Sequence, residues 1–337
     1  MLLDKCSRTV IQTCMGINNN DVVTILSDRN SSKIGRSLYR EVVKVTEDIS
    51  FHCLEDYGER PLDHLPDMII DRARISTATF WTASPLSNEL KSVRMPFCQN
   101  AIAGGRHAHM VGITEEVFLK GLSGDYGELA RLTDQLKDIL EEVDTLRITS
   151  EKGTELVARV DRYKWVASAG MLHTPGIWHN LPDGEVFTTP TRVEGTAVVD
   201  GTLGDYFDKE YPVGHTDRYP LTLKIENRER PILTCIECDD DVLESAFREY
   251  VDQSKYSRVV GEIGLGTNIF LDCLIGNMLI DEKYPGIHIA FGDPIGSMTG
   301  AGWTCPTHMD AIIKDCDIWA GELQIMERGK YLVDEFD

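Results

Sequence analysis

The stretch DVVTILSDRNSSKIGRSLYREVVKVTEDISFHCL, residues 21–54, decides the fold class. Asp21 to Leu26 is a short β-branched run bounded by Asn18-Asn19-Asn20 and by Asp28, which reads as a strand. Ser37 to Val45 has the apolar spacing of a helix, and Ile49 to Leu54 reads as a second strand. The pattern continues on both sides. Leu2 to Met15 has helical spacing, His64 to Asp71 reads as a helix with Pro66 in its first turn, and Ile75 to Thr82 reads as a strand. Ile113-Thr114-Glu115-Glu116 opens another helix, and Glu128 to Val143 is a longer amphipathic one. Strands alternating with helices predict a parallel, Rossmann-like α/β sheet.

The texture changes near Asp144. Thr145 to Thr149 and Glu155 to Val160 read as strands joined by the Lys152-Gly153 turn, and Thr188–Val199 and Tyr219–Cys238 continue the β-rich pattern. Asp240 to Gln253 reads as a helix, with Asp239-Asp240-Asp241 suited to its positive N-terminus. The expected organisation is an N-terminal α/β domain over 1–144 and a β-rich, metal-binding domain over 145–337, with ligand side chains at strand ends around a cleft.

Charge and composition narrow the function. The 337 residues carry 34 Lys+Arg against 55 Asp+Glu, a formal charge of −21. A field of that sign repels phosphate backbones and anionic lipid, so neither nucleic acid nor membrane is an expected partner. No apolar run approaches a membrane span, and the first residues, MLLDKCSRTVIQTC, do not read as a signal peptide. Nine cysteines, an odd number spread singly, predict reduced thiols and a cytoplasmic protein. Cys235-Ile236-Glu237-Cys238 has no second pair and sits in a strand-like run, so it reads as buried thiols. A Walker A sequence is absent, and Gly261-Glu-Ile-Gly-Leu-Gly lacks the dinucleotide spacing.

The candidate chemistry lies in the C-terminal half. Glu185 in LPDGEVFTTP, Glu262 in VVGEIGLGTN, His288 in YPGIHIAFGDP, and His308 with Asp310 in CPTHMDAII all fall in short, turn-flanked strand segments. His308 and Asp310 are two apart, which on a strand puts both side chains on one face. Imidazoles beside carboxylates suit a divalent ion. His288 sits among Ile287, Ile289, Ala290 and Phe291 and needs a polar partner there. Around this set, His179 and Trp178 precede Glu185 and are candidates to line the same pocket, His179 as a catalytic or substrate contact. Asp281-Glu282 precede His288, and Glu282 is the candidate general base. Arg106-His107-Ala108-His109-Met110 is a basic island that reads as a surface loop. Arg106 could hold a substrate carboxylate, and the H-x-H could bind metal but has no partner carboxylate nearby in sequence.

LPDGEVFTTPTRVEGTAVVDG, GEIGLGTN, IDEKYPGIHIAFGD and THMD together resemble the thermophilic aminopeptidase family of metallopeptidases over about residues 145–325. The resemblance implies that Glu185, Glu262, His288, His308 and Asp310 hold two divalent ions (zinc, cobalt, manganese or magnesium), that the enzyme is a homodimer, and that a bridging hydroxide cleaves N-terminal residues from peptides. The family's tyrosine seven residues after the HIA histidine is Ile295 here. In length and in THMDAIIKDCDIW the chain also resembles the dihydroxypyridine ring-cleaving dioxygenases of the same fold. These use one iron held by histidines and an aspartate, act on a small molecule, and carry a histidine where this chain has Glu262. The expectation is therefore a metalloaminopeptidase-like hydrolase, with a single-iron(II) dioxygenase or a non-peptidase relative of the fold as alternatives.

Overall fold

The computed structural model describes residues 2–207, 210–212 and 214–332; residue 1 and residues 333–337 of the two expected domains lie outside that range. The structure is mixed α/β, with a parallel sheet followed by β-rich antiparallel sheets. The strand–helix–strand reading of residues 21–54 corresponds to a strand at Val23–Ser27, a helix at Ser32–Val42 and a strand at Ile49–Cys53, with the two strands parallel. The parallel sheet runs in the order Ile49–Cys53, Val23–Ser27, Ala78–Trp81, Arg106–His109, Trp178–Asn180. The helix expected at His64–Asp71 begins later, at Asp67, and runs to Ile75, with Pro66 as its N-cap. The helix Met95–Gly104 is an addition that sequence patterning did not reveal.

The chain divides into two compact units, and the division is discontinuous. Residues 1–130 and 169–183 form the first; residues 131–168 and 184–337 form the second. Two features shift this from a single cut at 144/145. Leu132, Leu136 and Leu140, on the apolar stripe of the helix Tyr126–Glu141, are fully or nearly buried in the second unit's core. Residues 169–183 then return to the first unit and add Trp178–Asn180 to the edge of its sheet, beside Arg106–His109.

The second unit has two antiparallel sheets. The larger runs Pro231–Glu237, Leu221–Asn227, Arg192–Val199, Glu155–Arg159, Thr145–Thr149, Asp317–Ala320, Leu323–Glu327, Lys330–Tyr331. The smaller runs His308–Ile313, Gly286–Gly292, Val260–Gly266, Glu185–Thr188, Val166–Ser168. Side chains from both sheets fill one core, Leu146, Ile148, Val193 and Leu223 from the larger and Ile263, Leu265, Ile289, Phe291 and Ile313 from the smaller. The helix Asp241–Val251 packs Leu243, Phe247 and Val251 into this core, and Asp240 caps it by accepting from the Val242 and Leu243 N–H groups at 3.0 and 3.1 Å. No helix among the described residues is long and apolar enough to cross a membrane.

Arg106 is a structural residue here, which corrects the expectation of a substrate clamp on a surface loop. It opens a strand and its side chain is 8% exposed. Its guanidinium donates to Asp21 Oδ1 and Oδ2 at 3.0 and 2.9 Å, to the Met15 carbonyl at 2.8 Å and to the Thr77 carbonyl at 3.0 Å. The bidentate pair ties the first strand's entry to the fourth strand. Removing one member of a buried pair strands the other charge, so Arg106→Ala should lower folding stability by about 3 kcal/mol, read as a shift in urea midpoint.

Candidate metal centre

Four neighbouring strands of the smaller sheet carry the five residues singled out above. His308 and Asp310 lie on His308–Ile313, His288 on Gly286–Gly292, Glu262 on Val260–Gly266, and Glu185 opens Glu185–Thr188. The register explains why they meet. Asp310 is opposite Ala290, Ala290 opposite Glu262, His288 opposite Gly264, and Gly266 opposite Glu185. Residues directly opposite share a face, and so do residues two apart, so all five ligand types project from one side. The intervening Ile263, Leu265, Ile287, Ile289, Phe291, Met309 and Ile313 project from the other side into the core. The site is thus spread across a sheet face, where strand ends around a cleft were expected.

Glycines make that face habitable. A Cβ on Gly264 would lie 2.1 Å from His288 Nε2, so the absent side chain is the space the imidazole occupies. A Cβ on Gly266 would lie 2.1 Å from the Tyr284 carbonyl and one on Gly292 2.1 Å from the Thr307 carbonyl, so these two admit neighbouring backbone. A register shift between Val260 and Glu262 re-aims the glutamate.

The donor atoms face one another. His288 Nε2 is 3.3 Å from Glu262 Oε1 and 3.7 Å from Glu185 Oε2. His308 Nε2 is 3.3 Å from Asp310 Oδ1 and 3.7 Å from Glu262 Oε2. His308 Nδ1 donates to the Asp293 carbonyl at 2.9 Å, which orients the ring and leaves Nε2 directed at the carboxylates. Glu262 Oε2 is buried with no hydrogen-bond partner. Two ligand atoms bonded to one ion at about 2.1 Å stand roughly 3.0–3.4 Å apart, the separation that two of these four pairs show, the other two being slightly wider. The orphaned oxygen and the N/O donor set fit a divalent ion.

Lys283, which sequence patterning did not single out, adds a cation to the cluster. Its side chain is 1% exposed, and its ammonium donates to Glu185 Oε1 at 2.5 Å and pairs with Glu282 Oε1 at 2.7 Å. Glu185 and Glu282 therefore already share a cation. Asp281 is committed elsewhere: it accepts from Thr202 Oγ1 and from the Ile275, Gly276 and Asn277 N–H groups. Glu282 is left as the acid–base candidate beside the site. Burial, the largest influence, pushes its carboxyl up; Lys283 pulls it down and Glu185 and Asp310 push it up again, to about 8. Burial disfavours the His288 imidazolium, but Glu262, Glu185 and Asp310 outweigh that and hold its pKa at about 9. His308 is likewise held well above the usual range by Asp310 and Glu262 against its burial. Burial raises the Asp310 carboxyl, but His308 outweighs it and draws it down to about 2.

Trp178 and His179 belong to the first unit, as does Arg106. The Trp178 ring meets His109 edge-on at 5.5 Å, and His179 Nδ1 lies 3.9 Å from Asp183 Oδ2. Ile295, at the position of the family tyrosine, has φ +50 and donates its N–H to Asp293 Oδ1 at 2.9 Å.

With this geometry in view, the chain can be placed among known proteins. The sequence profile of the 2,5-dihydroxypyridine 5,6-dioxygenase family matches residues 103–269, just under half of the chain. That span includes Glu185 and Glu262 and ends before His288, His308 and Asp310. The 2,5-dihydroxypyridine 5,6-dioxygenase of Pseudomonas putida is 24% identical over 208 residues, covering 58% of this chain and 57% of that protein. Among solved structures, 2,5-dihydroxypyridine dioxygenase from Pseudomonas putida superposes with a TM-score of 0.71 at 17% identity, covering 98% of this chain and 96% of the other. Wild-type AmpT from Thermus thermophilus superposes with a TM-score of 0.66 at 16% identity, covering 98% and 99%. The two structures share this fold. The similarity in sequence is to the dioxygenase, where a hydrolase had been the first expectation.

Two outcomes follow from the site's construction. Gly264→Ala should displace the His288 ring and weaken divalent-ion binding by about tenfold or more, measured by calorimetric titration, with the circular dichroism of the fold retained. The second concerns pH. His288, with a folded pKa of about 9, and Glu282, at about 8, each bind more protons folded than unfolded across neutral pH. Stability of the metal-free protein should therefore fall as pH rises from 6 to about 9, while an ion, which must displace those protons, should bind more tightly over the same interval. Melting temperatures at pH 6 and pH 9, with chelator and with added metal, check both signs.

Proposed function

We propose that this chain is a mononuclear non-haem iron(II) oxygenase acting on a small dihydroxylated aromatic ring of the hydroxypyridine kind. The observation that carries this reading is the Lys283 ammonium between Glu185 and Glu282, which takes the place a second ion would need. Three carboxylate ligands, Glu185, Glu262 and Asp310, less that one ammonium amount to two negative charges, the charge one divalent ion balances. His288 and His308 with Glu262 or Asp310 then make a set of two imidazoles and a carboxylate, the donor pattern of non-haem iron(II) oxygenases. The sequence similarity to 2,5-dihydroxypyridine 5,6-dioxygenase supports the same reading.

Iron(II) held there would supply the redox chemistry of ring opening. The chain's own residues supply placement and proton handling. Asp293 fixes the His308 ring through its carbonyl, and Gly264 gives the His288 ring its room. Glu282, titrating near neutrality at about 8, is suited to take a hydroxyl proton from a bound diol and return it later. Lys283 holds Glu185 in place and, shared between Glu185 and Glu282, offsets part of their negative charge.

A second reading, a dinuclear aminopeptidase-like hydrolase, is favoured by one observation: ligand atoms of Glu185, Glu262 and His288 lie within 4.8 Å of one another, the makings of a further ion position. Metal stoichiometry and turnover separate the two. The expected result at the carboxylate site is one iron per chain, with oxygen uptake on 2,5-dihydroxypyridine or a related diol and none with aminoacyl anilides. Lys283→Ala should raise the capacity for divalent ions by one per chain, counted by elemental analysis. Hydrolysis of aminoacyl anilides by wild-type protein holding two ions at this site would replace the first reading with the second.

A further inference from the structure

The first unit contains a second group of metal-ligand side chains, unrelated to the carboxylate site. Cys98 lies on the helix Met95–Gly104, and His107 and His109 lie two apart on the strand Arg106–His109, hence on one face of it. His107 Nε2 is 3.1 Å from His109 Nδ1 and 3.4 Å from Cys98 Sγ, and Cys98 Sγ is 3.8 Å from His109 Nδ1. His107 is fully buried, and its other nitrogen, Nδ1, lies 2.8 Å from Thr79 Oγ1. The Thr79 hydroxyl is within reach of the Arg106 carbonyl at 3.4 Å, to which it donates. Its oxygen is thus free to accept from His107 Nδ1–H, and this fixes the tautomer with a bare lone pair on Nε2, facing the other two donors.

The separations are those of a tetrahedral ion. Zinc bonded to nitrogen at about 2.05 Å and to sulfur at about 2.3 Å sets N···N near 3.4 Å and N···S near 3.6 Å. The two N···S distances here, 3.4 and 3.8 Å, bracket that value, and the N···N distance of 3.1 Å is slightly shorter than its own. Thiolate and imidazole also select zinc over magnesium, calcium or manganese, whereas the carboxylate-rich site in the second unit has no sulfur among its donors.

We propose that Cys98, His107 and His109 form a zinc site in the first unit, with three protein ligands and the fourth position open to water or to an exogenous ligand. On binding, the Cys98 thiol gives up its proton to solvent and both imidazoles bind as neutral groups. The Trp178 ring, 48% exposed and edge-on to His109, stands beside this triad. The proposal is independent of the reaction assigned to the second unit, because no residue is shared between the two sites.

The test uses the full chain, reduced, stripped of metal and titrated with cobalt(II). A thiolate-to-cobalt charge-transfer band reports this site alone, since the other offers only nitrogen and oxygen. The expected result is such a band saturating at one equivalent, displaced by zinc, lost in Cys98→Ser and retained in Asp310→Asn. His109→Gln should weaken the same band's cobalt affinity at least tenfold and decides the matter if Cys98→Ser does not fold. Absence of the band in wild-type protein would overturn the proposal. So would its persistence at full amplitude in Cys98→Ser, or an unchanged affinity in His109→Gln, and the three side chains would then be a hydrogen-bonded thiol–imidazole core.

Discussion

The pleat of four antiparallel strands is the constraint from which the second unit's chemistry follows. Between His308–Ile313 and Glu185–Thr188 each strand alternates, one residue to the core and the next to the opposite face. Because the register is fixed, the five metal-ligand residues fall on one face of the sheet, where Phe187, Ala290 and Ile312 accompany them, and the core residues fall on the other. The core side gains the cohesion of Ile263, Leu265, Ile289 and Phe291. The opposite side is then free to collect carboxylates and imidazoles that no apolar core would tolerate. A slip of one residue in any of these strands would bury charge and expose isoleucine at once, so the hydrophobic core and the ligand geometry hold each other in register.

Negative charge accumulates on that face. Glu185, Glu262, Asp310 and Glu282 are close enough to repel, and the fold answers with Lys283, with protons, and with a donor set that fits a divalent ion. These cations compete for one cluster of carboxylates: an ion that binds the imidazoles must displace their protons, and the ammonium already occupies Glu185 and Glu282. The raised pKa values of His288 and Glu282 are the same repulsion seen from the side of the proton.

Much of the fold could be read from local pattern. The alternation of strand and helix through residues 21–54 is real because β-branched runs and helical spacing are local properties, and the helix after Asp240 follows from its cap. The ligand face was legible too, since His308 and Asp310 two apart on a strand share a side, and residue types did the rest. Three features escaped because their causes are distant in sequence. Arg106 looked like a surface cation; its partner Asp21 is 85 residues away. Lys283, next to two acidic residues, drew no reading of its own, because the partner it meets in the interior, Glu185, lies 98 residues earlier. His107 and His109 seemed to lack a third ligand because a carboxylate nearby was sought, whereas the neighbour is the thiol of Cys98, brought in by a helix that patterning had not revealed.

The return of residues 169–183 to the first unit bears on how the molecule can be taken apart. The three-residue strand Trp178–Asn180 pairs in parallel with Arg106–His109 and covers what would otherwise be the sheet's margin. A fragment ending near residue 144 would keep the first unit's helices and the other four strands of that sheet, yet leave the N–H and C=O groups of Arg106–His109 on that side without partners. Such a bare edge invites pairing with another copy of itself. Limited proteolysis or gene dissection at the apparent change of texture would thus release a sticky half-protein, and a soluble first half would need residues 169–183 tethered back by a short linker.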